Sequence, residues 1–599
     1  MNIREVIRTM SLEQKCYLLS GKDSWHTRAV EQLEIPSCTL AEGPHGVCKE
    51  KAEQASVDFQ NFEPATCFPT AAAMANSWNV ELGEQVGKYL GEEAASQGVD
   101  VLLGPGLNIK RNPLCGRNFE SFSEDPYLSG KMAAAYVRGI QSMGVAACLR
   151  HFAVNSQETR RVSTDSIVDE RTLRELYLTG FEIAVKEGGA KAVMAAGNRV
   201  NGTYANENRY LLTQILRNEW GFDGFVMSGC GESNLHTAGL IAGSNLEMPG
   251  TGGDSQEALI KAVRRGEISE KVVDLRVREL LEILIPAREA VKKREGTPFS
   301  VTEHHLAARI AAEESIVLLK NDSGILPLKK WTRLAVIGRF AGEPRIQGIG
   351  ASRVEPTKLD RTAELVKHYF PKCTGYVPGY QRNGAPDGIL ESEALELAKR
   401  SEAVLLFLGL DDCQEMEGCD RRHMRLAERQ LRLLRKLARV NPHILVVLNG
   451  GAPVEMGWEE HCEAIVYGSL SGQAGAEAML RILAGEVNPS GRLSETFPFL
   501  YRDVPSAGYF PGKERNAEYR ESLYVGYRYY TTVKKPVRYP FGYGLSYTSF
   551  EYADLQAEQG KASFLLKNTG KREGAEVVQL YISPKVHGVF RPVRELKGF

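Results

Sequence analysis

Short apolar runs of strand length alternate with amphipathic stretches of helix length along most of this chain. That alternation restricts the fold more than any other feature. Over residues 1–290 the runs "VDVLLGPGLNI", "VAACLRHFAV", "AKAVMAAGNRV" and "GFDGFVMSG" are separated by amphipathic segments such as "DERTLRELYLTGFEIAVKEG" and "NRYLLTQILRNEWG". Each run is short and bounded by turn residues, so it reads as a buried strand. A repeated strand–helix order implies a mostly parallel sheet or barrel. After a closing helical pattern and a basic linker at 291–300, the alternation resumes over 301–500 with "RLAVIGRF", "EAVLLFLGL", "HILVVLNG" and "AIVYGSL". Residues 501–548, rich in Tyr, Pro and Gly, read as an irregular connector. From 549 to 599 apolar and polar residues alternate one by one between turn signals, which predicts β-hairpins.

The chain has 599 residues, too many for one core, and a prior of about 150 residues per domain suggests three or four domains. Its net charge of −1 gives no overall field favouring nucleic acid or an anionic membrane. The polar opening "MNIREVIRTMSLEQK" has no apolar signal-peptide core, and no run of apolar residues is long enough to span a bilayer. The 11 cysteines are odd in number and scattered without a C-x-x-C pair. That pattern argues against a disulfide framework or a zinc site and for a reducing cytoplasm. No motif implies a metal or an organic cofactor.

Several longer runs carry a resemblance. "GPGLNIKRNPLCGRNFESFSEDPYLSG", "RHFAVNSQETRR", "VDERTLRELYL", "NLEMPG", "AAEESIVLLKNDSGILPL", "EMEGCDRRHMRL", "GEVNPSGRLSETFP" and "PFGYGLSYTSF" occur in this order over nearly the whole chain. Together they resemble glycoside hydrolase family 3 of the β-glucosidase type. The resemblance implies an α/β multidomain protein: a TIM-like (β/α)8 barrel over 1–290, an α/β sandwich over 301–500, and a fibronectin type III-like domain from 549. That last domain is expected to be cut short, because family members usually continue past "RPVRELKGF". Open strand edges there predict a homodimer.

The family's retaining chemistry needs two carboxyl groups about 5–5.5 Å apart, a nucleophile and an acid/base. The resemblance assigns the acid/base to Glu417 in "EMEGCDR". It places the nucleophile in a pattern like G-F-V-x-S-D-W-G, which here is "GFVMSGCG", so Gly229 stands where the family has aspartate and Cys230 where it has tryptophan. The sugar-binding positions have changed with it. Glu42 replaces an aspartate, Cys48 an arginine, Arg150 a lysine and Gly197 a tyrosine, whereas Arg117, His151, Arg161 and Met194 are as in the family.

Four large or charged groups thus become Gly229, Cys230, Gly197 and Cys48, which suggests a widened, less polar pocket. Glu232, three residues after Gly229, is a substitute nucleophile only if its side chain turns back toward Glu417. Glu42 is the alternative carboxylate, Cys230 has no neighbouring base readable from the sequence, and a Cys48–Cys230 metal pair is less natural than two small buried residues. Substrate-supplied attack, or elimination with Glu417 and His151 as acid and base, would need no protein nucleophile. Three readings remain: an atypical glycosidase acting on a glycoside or glycoconjugate, a non-catalytic carbohydrate-binding protein on the same scaffold, and a β-glucosidase with weak residual activity. None requires nucleic acid or membrane.

Overall fold

The computed structural model describes residues 2–51, 61–229, 231–232, 235–382, 385, 387–558, 560–585 and 588–599. In the first half, five strands form one parallel sheet in the order Leu40–Glu42, Val101–Leu103, Ala146–Phe152, Ala192–Ala195, Phe225–Met227. All four apolar runs read as strands from the sequence lie in it. Single parallel bridges carry the sheet on, from Met227 to Leu246 and from Glu247 to Ser20. Among the described residues this sheet has five full strands rather than the eight of a complete (β/α)8 barrel.

Side chains alternate across this sheet, as the pleat requires. Ala41, Leu102, Ala147, Leu149, Val193 and Val226 pack in one apolar cluster with Val86, Leu90, Met132 and Tyr136 from the helices Val80–Ser96 and Pro126–Ser142. Leu40, Val101, Cys148, Met194, Phe225 and Met227 join the other cluster, with Val277, Leu281 and Leu284 of the helix Glu270–Val291. The first of these helices carries glycine at 83, 87 and 91, every fourth residue and therefore on one face. A Cβ on Gly87 would come within 2.5 Å of the Tyr136 carbonyl oxygen, so the absence of side chains is what lets the two helices meet backbone to backbone. Asp125 caps the second helix ahead of Pro126, accepting hydrogen bonds from the N–H groups of Tyr127 and Leu128.

The second half builds a six-stranded sheet in the order Gly375–Val377, Leu334–Ile337, Ala403–Gly409, Ile444–Asn449, Ala464–Ser469, Val317–Asn321. Only the last strand runs antiparallel. Its central strands are unbroken apolar runs because helices cover both faces. The connector is less irregular than expected. Its residues Asn516–Glu518 form a strand that pairs with Asp165–Ile167 and so joins a four-stranded sheet of the first half. The C-terminal segment forms the expected hairpin, Phe550–Glu558 with Lys561–Asn568, and a second antiparallel pair, Leu580–Ile582 with Glu595–Gly598. No described helix is long and apolar enough to cross a membrane.

The seam between the halves runs past the carboxyl ends of the first sheet. Gly116 sits in it, and a Cβ there would overlap the Cys419 carbonyl oxygen and come within 2.5 Å of that of Met416. Both obstacles are backbone, so Gly116→Ala must push the 416–419 loop away. A loss of about 1–3 kcal/mol is expected in urea denaturation, the usual range for overpacking.

Candidate active site

Most of the residues singled out from the sequence converge at that seam. Glu42 ends the first strand of the sheet, Arg150 and His151 lie in the third, and Gly197 and Gly229 follow the fourth and fifth. Ligands and catalytic groups collect at such strand ends in α/β folds, because the loops there converge. The second half contributes Glu417 on the loop after Ala403–Gly409, and the turn 350–353 beneath it.

The side chains form one alternating chain of charge. Arg150, fully buried, pairs with Glu42 through Nη1 and donates through Nη2 to Glu120 Oε2 at 3.0 Å. Glu120 Oε2 also accepts from Arg117 Nη2 at 2.8 Å, and Ser352 Oγ donates to its Oε1 at 2.8 Å. Arg117 Nη1 lies 3.7 Å from Glu417 Oε1. Arg161 donates to three carboxylates: Nη2 to Glu417 at 2.7 Å, Nε to Glu232 at 3.1 Å and Nη1 to Glu158 at 2.5 Å. Glu417 Oε2 accepts from the Ala351 N–H at 2.9 Å. Gly350 beside it has φ +150°, and a Cβ there would come within 2.7 Å of the Glu417 Cβ.

Gly229 and Gly197 share one neighbour. A Cβ built on either would overlap the carboxylate of Glu232. The turn explains how Glu232 reaches back. Its N–H donates to the Gly229 carbonyl at 3.0 Å, closing the turn 229–232, and Gly231 supplies the left-handed φ of +70°. The expected widening is therefore absent at these two positions, because a carboxylate fills the space. Cys230 lies outside the described residues.

Cys48 is buried in the apolar cluster behind the sheet, and its Sγ lies 3.6 Å from the Gly46 carbonyl. Burial, reinforced by nearby Glu42, holds its thiol well above the ordinary range, which keeps it protonated rather than an activated thiolate. Met194 belongs to the other apolar cluster, with Phe225 and Met227. Strand alternation turns it away from the layer of Val193 and Ala195, and it packs as core. Sequence reasoning passed over Glu120 and Glu158, although each lies three residues from an arginine it pairs with, Arg117 and Arg161. That spacing inside a quoted motif was the available signal. Among the described residues, His305, Asp360 and Glu477 approach closely enough to share an ion. They are already engaged: His305 bonds Asp360 and Gln473, and Glu477 accepts from Arg309 and Tyr369.

Protonation follows from these neighbours. Burial pushes the Glu417 carboxyl up, but Arg117, Arg161 and the Ala351 N–H outweigh it and hold the group below its ordinary range. Burial together with Arg117 and Arg150 drives His151 well below its ordinary value, so the imidazole is neutral at pH 7. Burial raises Glu42, and repulsion from Glu120 and Glu417 adds to it, against the attraction of Arg150. For Glu120, burial is overcome by Arg117 and Arg150, and its carboxyl is held far below the ordinary range.

The stretch 51–283 matches the model of the glycosyl hydrolase family 3 N-terminal domain, and 316–547 that of the family 3 C-terminal domain. The chain is 47% identical to thermostable beta-glucosidase B of Acetivibrio thermocellus, an alignment covering 100% of this chain and 80% of that protein. It is 42% identical to an exo-alpha-(1->6)-L-arabinopyranosidase of Bifidobacterium longum, over 99% of this chain and 80% of that one. Among solved structures, the GH3 beta-glucosidase of Bifidobacterium adolescentis superposes with a TM-score of 0.93 at 41% identity, covering 99% of this chain and 86% of that one. Beta-glucosidase 3B of Thermotoga neapolitana in complex with alpha-D-glucose does so with a TM-score of 0.92 at 36% identity, covering 100% and 91%.

Glu120→Gln leaves two buried guanidiniums short of a counter-charge, and breaking such a pair costs about 3–5 kcal/mol. Because the folded-state pKa of Glu120 is depressed, its contribution is present above the unfolded value of about 4.3 and is lost as pH falls through the folded value. Urea denaturation of the variant should therefore show the full deficit at pH 7 and a narrowing one below about pH 4.

Proposed function

Because the chain belongs to glycoside hydrolase family 3, we propose that it hydrolyses β-glycosides with Glu232 as the nucleophile in place of the missing aspartate and Glu417 as the acid/base. The observation that carries this reading is the Glu232 carboxylate lying over Gly229 while sharing the Arg161 guanidinium with Glu417. The N–H groups of a guanidinium form a rigid fork, so Nε and Nη2 hold their acceptors side by side, as paired glycosidase carboxyls require. The five-stranded sheet is read here as the larger part of the family's barrel, and the C-terminal hairpins as its fibronectin type III-like domain.

In the first step, protonated Glu417 gives its proton to the glycosidic oxygen as the bond to the anomeric carbon breaks. A Glu232 oxygen attacks that carbon and forms a glycosyl ester. In the second step, ionised Glu417 takes a proton from water, the water oxygen attacks the anomeric carbon, and the Glu232 ester bond breaks to release sugar and carboxylate. Glu42, Arg117, Glu120, Arg150 and neutral His151 contact the sugar hydroxyls. Arg161 opposes protonation of Glu417 in the unliganded site. Arg161→Met should therefore move the basic limb of the kcat/KM profile, which requires protonated Glu417, to higher pH.

A second reading, a non-catalytic carbohydrate-binding protein, is favoured by the completeness with which the site's charges pair among themselves. An activated 2-deoxy-2-fluoro-β-glucoside, with the corresponding α-L-arabinopyranoside alongside, separates the two. The first reading expects a covalent adduct on the peptide containing Glu232 by mass spectrometry. That adduct is lost in Glu232→Gln, and azide restores turnover of an aryl glycoside to Glu232→Ala. Sugar binding without an adduct or turnover would establish the second reading, and an adduct on another residue would move the nucleophile there.

A further inference from the structure

The loop that carries Glu417 is fastened to the first half of the chain by two carboxylates for which the proposed chemistry has no use. Asp420 lies three residues after Glu417 and belongs to the second half. Its Oδ1 accepts from the backbone N–H groups of Gly116, at 3.0 Å, and Glu158, at 2.9 Å, and its Oδ2 from that of Thr159, at 2.9 Å. Glu158 answers in the other direction, its Oε2 accepting from the Gly418 N–H at 2.8 Å as well as from Arg161. Each loop thus donates backbone N–H groups to a carboxylate of the other. Arg421 extends the contact, its N–H donating to the Leu114 carbonyl at 2.7 Å and its Nη1 to that of Pro113 at 3.2 Å.

The anchored positions explain what the clasp does. Gly116 immediately precedes Arg117, and Thr159 lies two residues before Arg161. These are the two arginines that flank Glu417 from the first half. Neither sheet fixes the separation of Glu417 from Arg161 and Glu232, because they come from different halves of the chain. Three backbone hydrogen bonds converging on one carboxylate from two different loops are directional, so they fix position rather than merely adding stability.

We propose that Asp420 is a positioning residue, which sets the register of Arg117 and Arg161 against Glu417 by holding both of their loops on one carboxylate. Asparagine at this site keeps one acceptor oxygen but turns an NH2 toward a backbone donor, so it retains part of the clasp. Alanine retains none of it.

The inference rests on the reading of Glu417 as acid/base, and the experiment separates the two. Wild type, Asp420→Asn and Asp420→Ala are compared in steady-state hydrolysis of an aryl β-glycoside and in amide hydrogen exchange. Asp420→Ala is expected to lower kcat about 100-fold, the scale of an ångström-sized misplacement, with a smaller rise in KM as Arg117 shifts. Asp420→Asn should fall between. The basic limb of kcat/KM should move to higher pH as the arginines leave Glu417. Exchange at Gly116, Glu158, Thr159 and Gly418 should quicken selectively while the sheet strands stay protected. A uniform fall in activity with the fraction folded and no movement of the pH limb would overturn the proposal. So would unchanged exchange at those four amides. If the wild type turns nothing over, the catalytic reading fails on its own, and the exchange result still decides whether Asp420 holds the two loops together.

Discussion

One guanidinium joins the two halves of this protein at the site. Arg161 is always charged, and its planar fork places an N–H toward Glu232 and another toward Glu417. Without it, two carboxylates from different regions would meet in a poorly solvated cleft and repel each other. The same logic runs inward. Glu417 faces Arg117, Arg117 bonds Glu120, Glu120 bonds Arg150 and Arg150 pairs with Glu42. Buried charge is tolerable only when paired, so every member of the series depends on its neighbour. The ends of four strands and two loops are thereby tied to one place.

The glycines at 197 and 229 belong to this arrangement rather than standing outside it. Neither needs glycine for its backbone conformation, since neither has a positive φ. What they lack is volume, and the carboxylate of Glu232 occupies that volume. A residue with a side chain at either position would evict it, so Gly197, Gly229 and Glu232 act as one unit. Arg150 and Glu42 likewise pair with each other. Two of the four positions that looked from the sequence like an emptied pocket, Gly197 and Gly229, are filled by one carboxylate.

The strands of both sheets were legible because parallel strands covered on both faces must be continuous apolar runs, as in "EAVLLFLGL" and "HILVVLNG". The Glu417 loop and the arginines were legible through long motifs. The direction of Glu232 was not, because it depends on the left-handed Gly231 closing a turn back onto Gly229, and a Gly-rich string is compatible with several turns. Cys48 and Met194 were read as pocket residues by position in a motif, whereas strand alternation and burial put them into apolar layers. The strand Asn516–Glu518 was hidden for a different reason. Three residues carry no period, and its identity lies in the partner it finds some 350 positions earlier.

That late strand orders events during synthesis. Asp165–Ile167 lies just beyond Arg161 and pairs on one edge with Arg199–Val200, close by in sequence, and on the other with Asn516–Glu518. Arg111 draws on the same late segment, pairing with Glu521 and donating to the Glu518 carbonyl at 2.8 Å. A ribosome adding about 5–20 residues each second therefore exposes the first sheet for many seconds before the chain that covers its loops exists. The first half can collapse early on its own helices. The cleft, in contrast, needs the second half for Glu417, and the loops at Arg111 and Asp165–Ile167 are held by a segment made after both sheets.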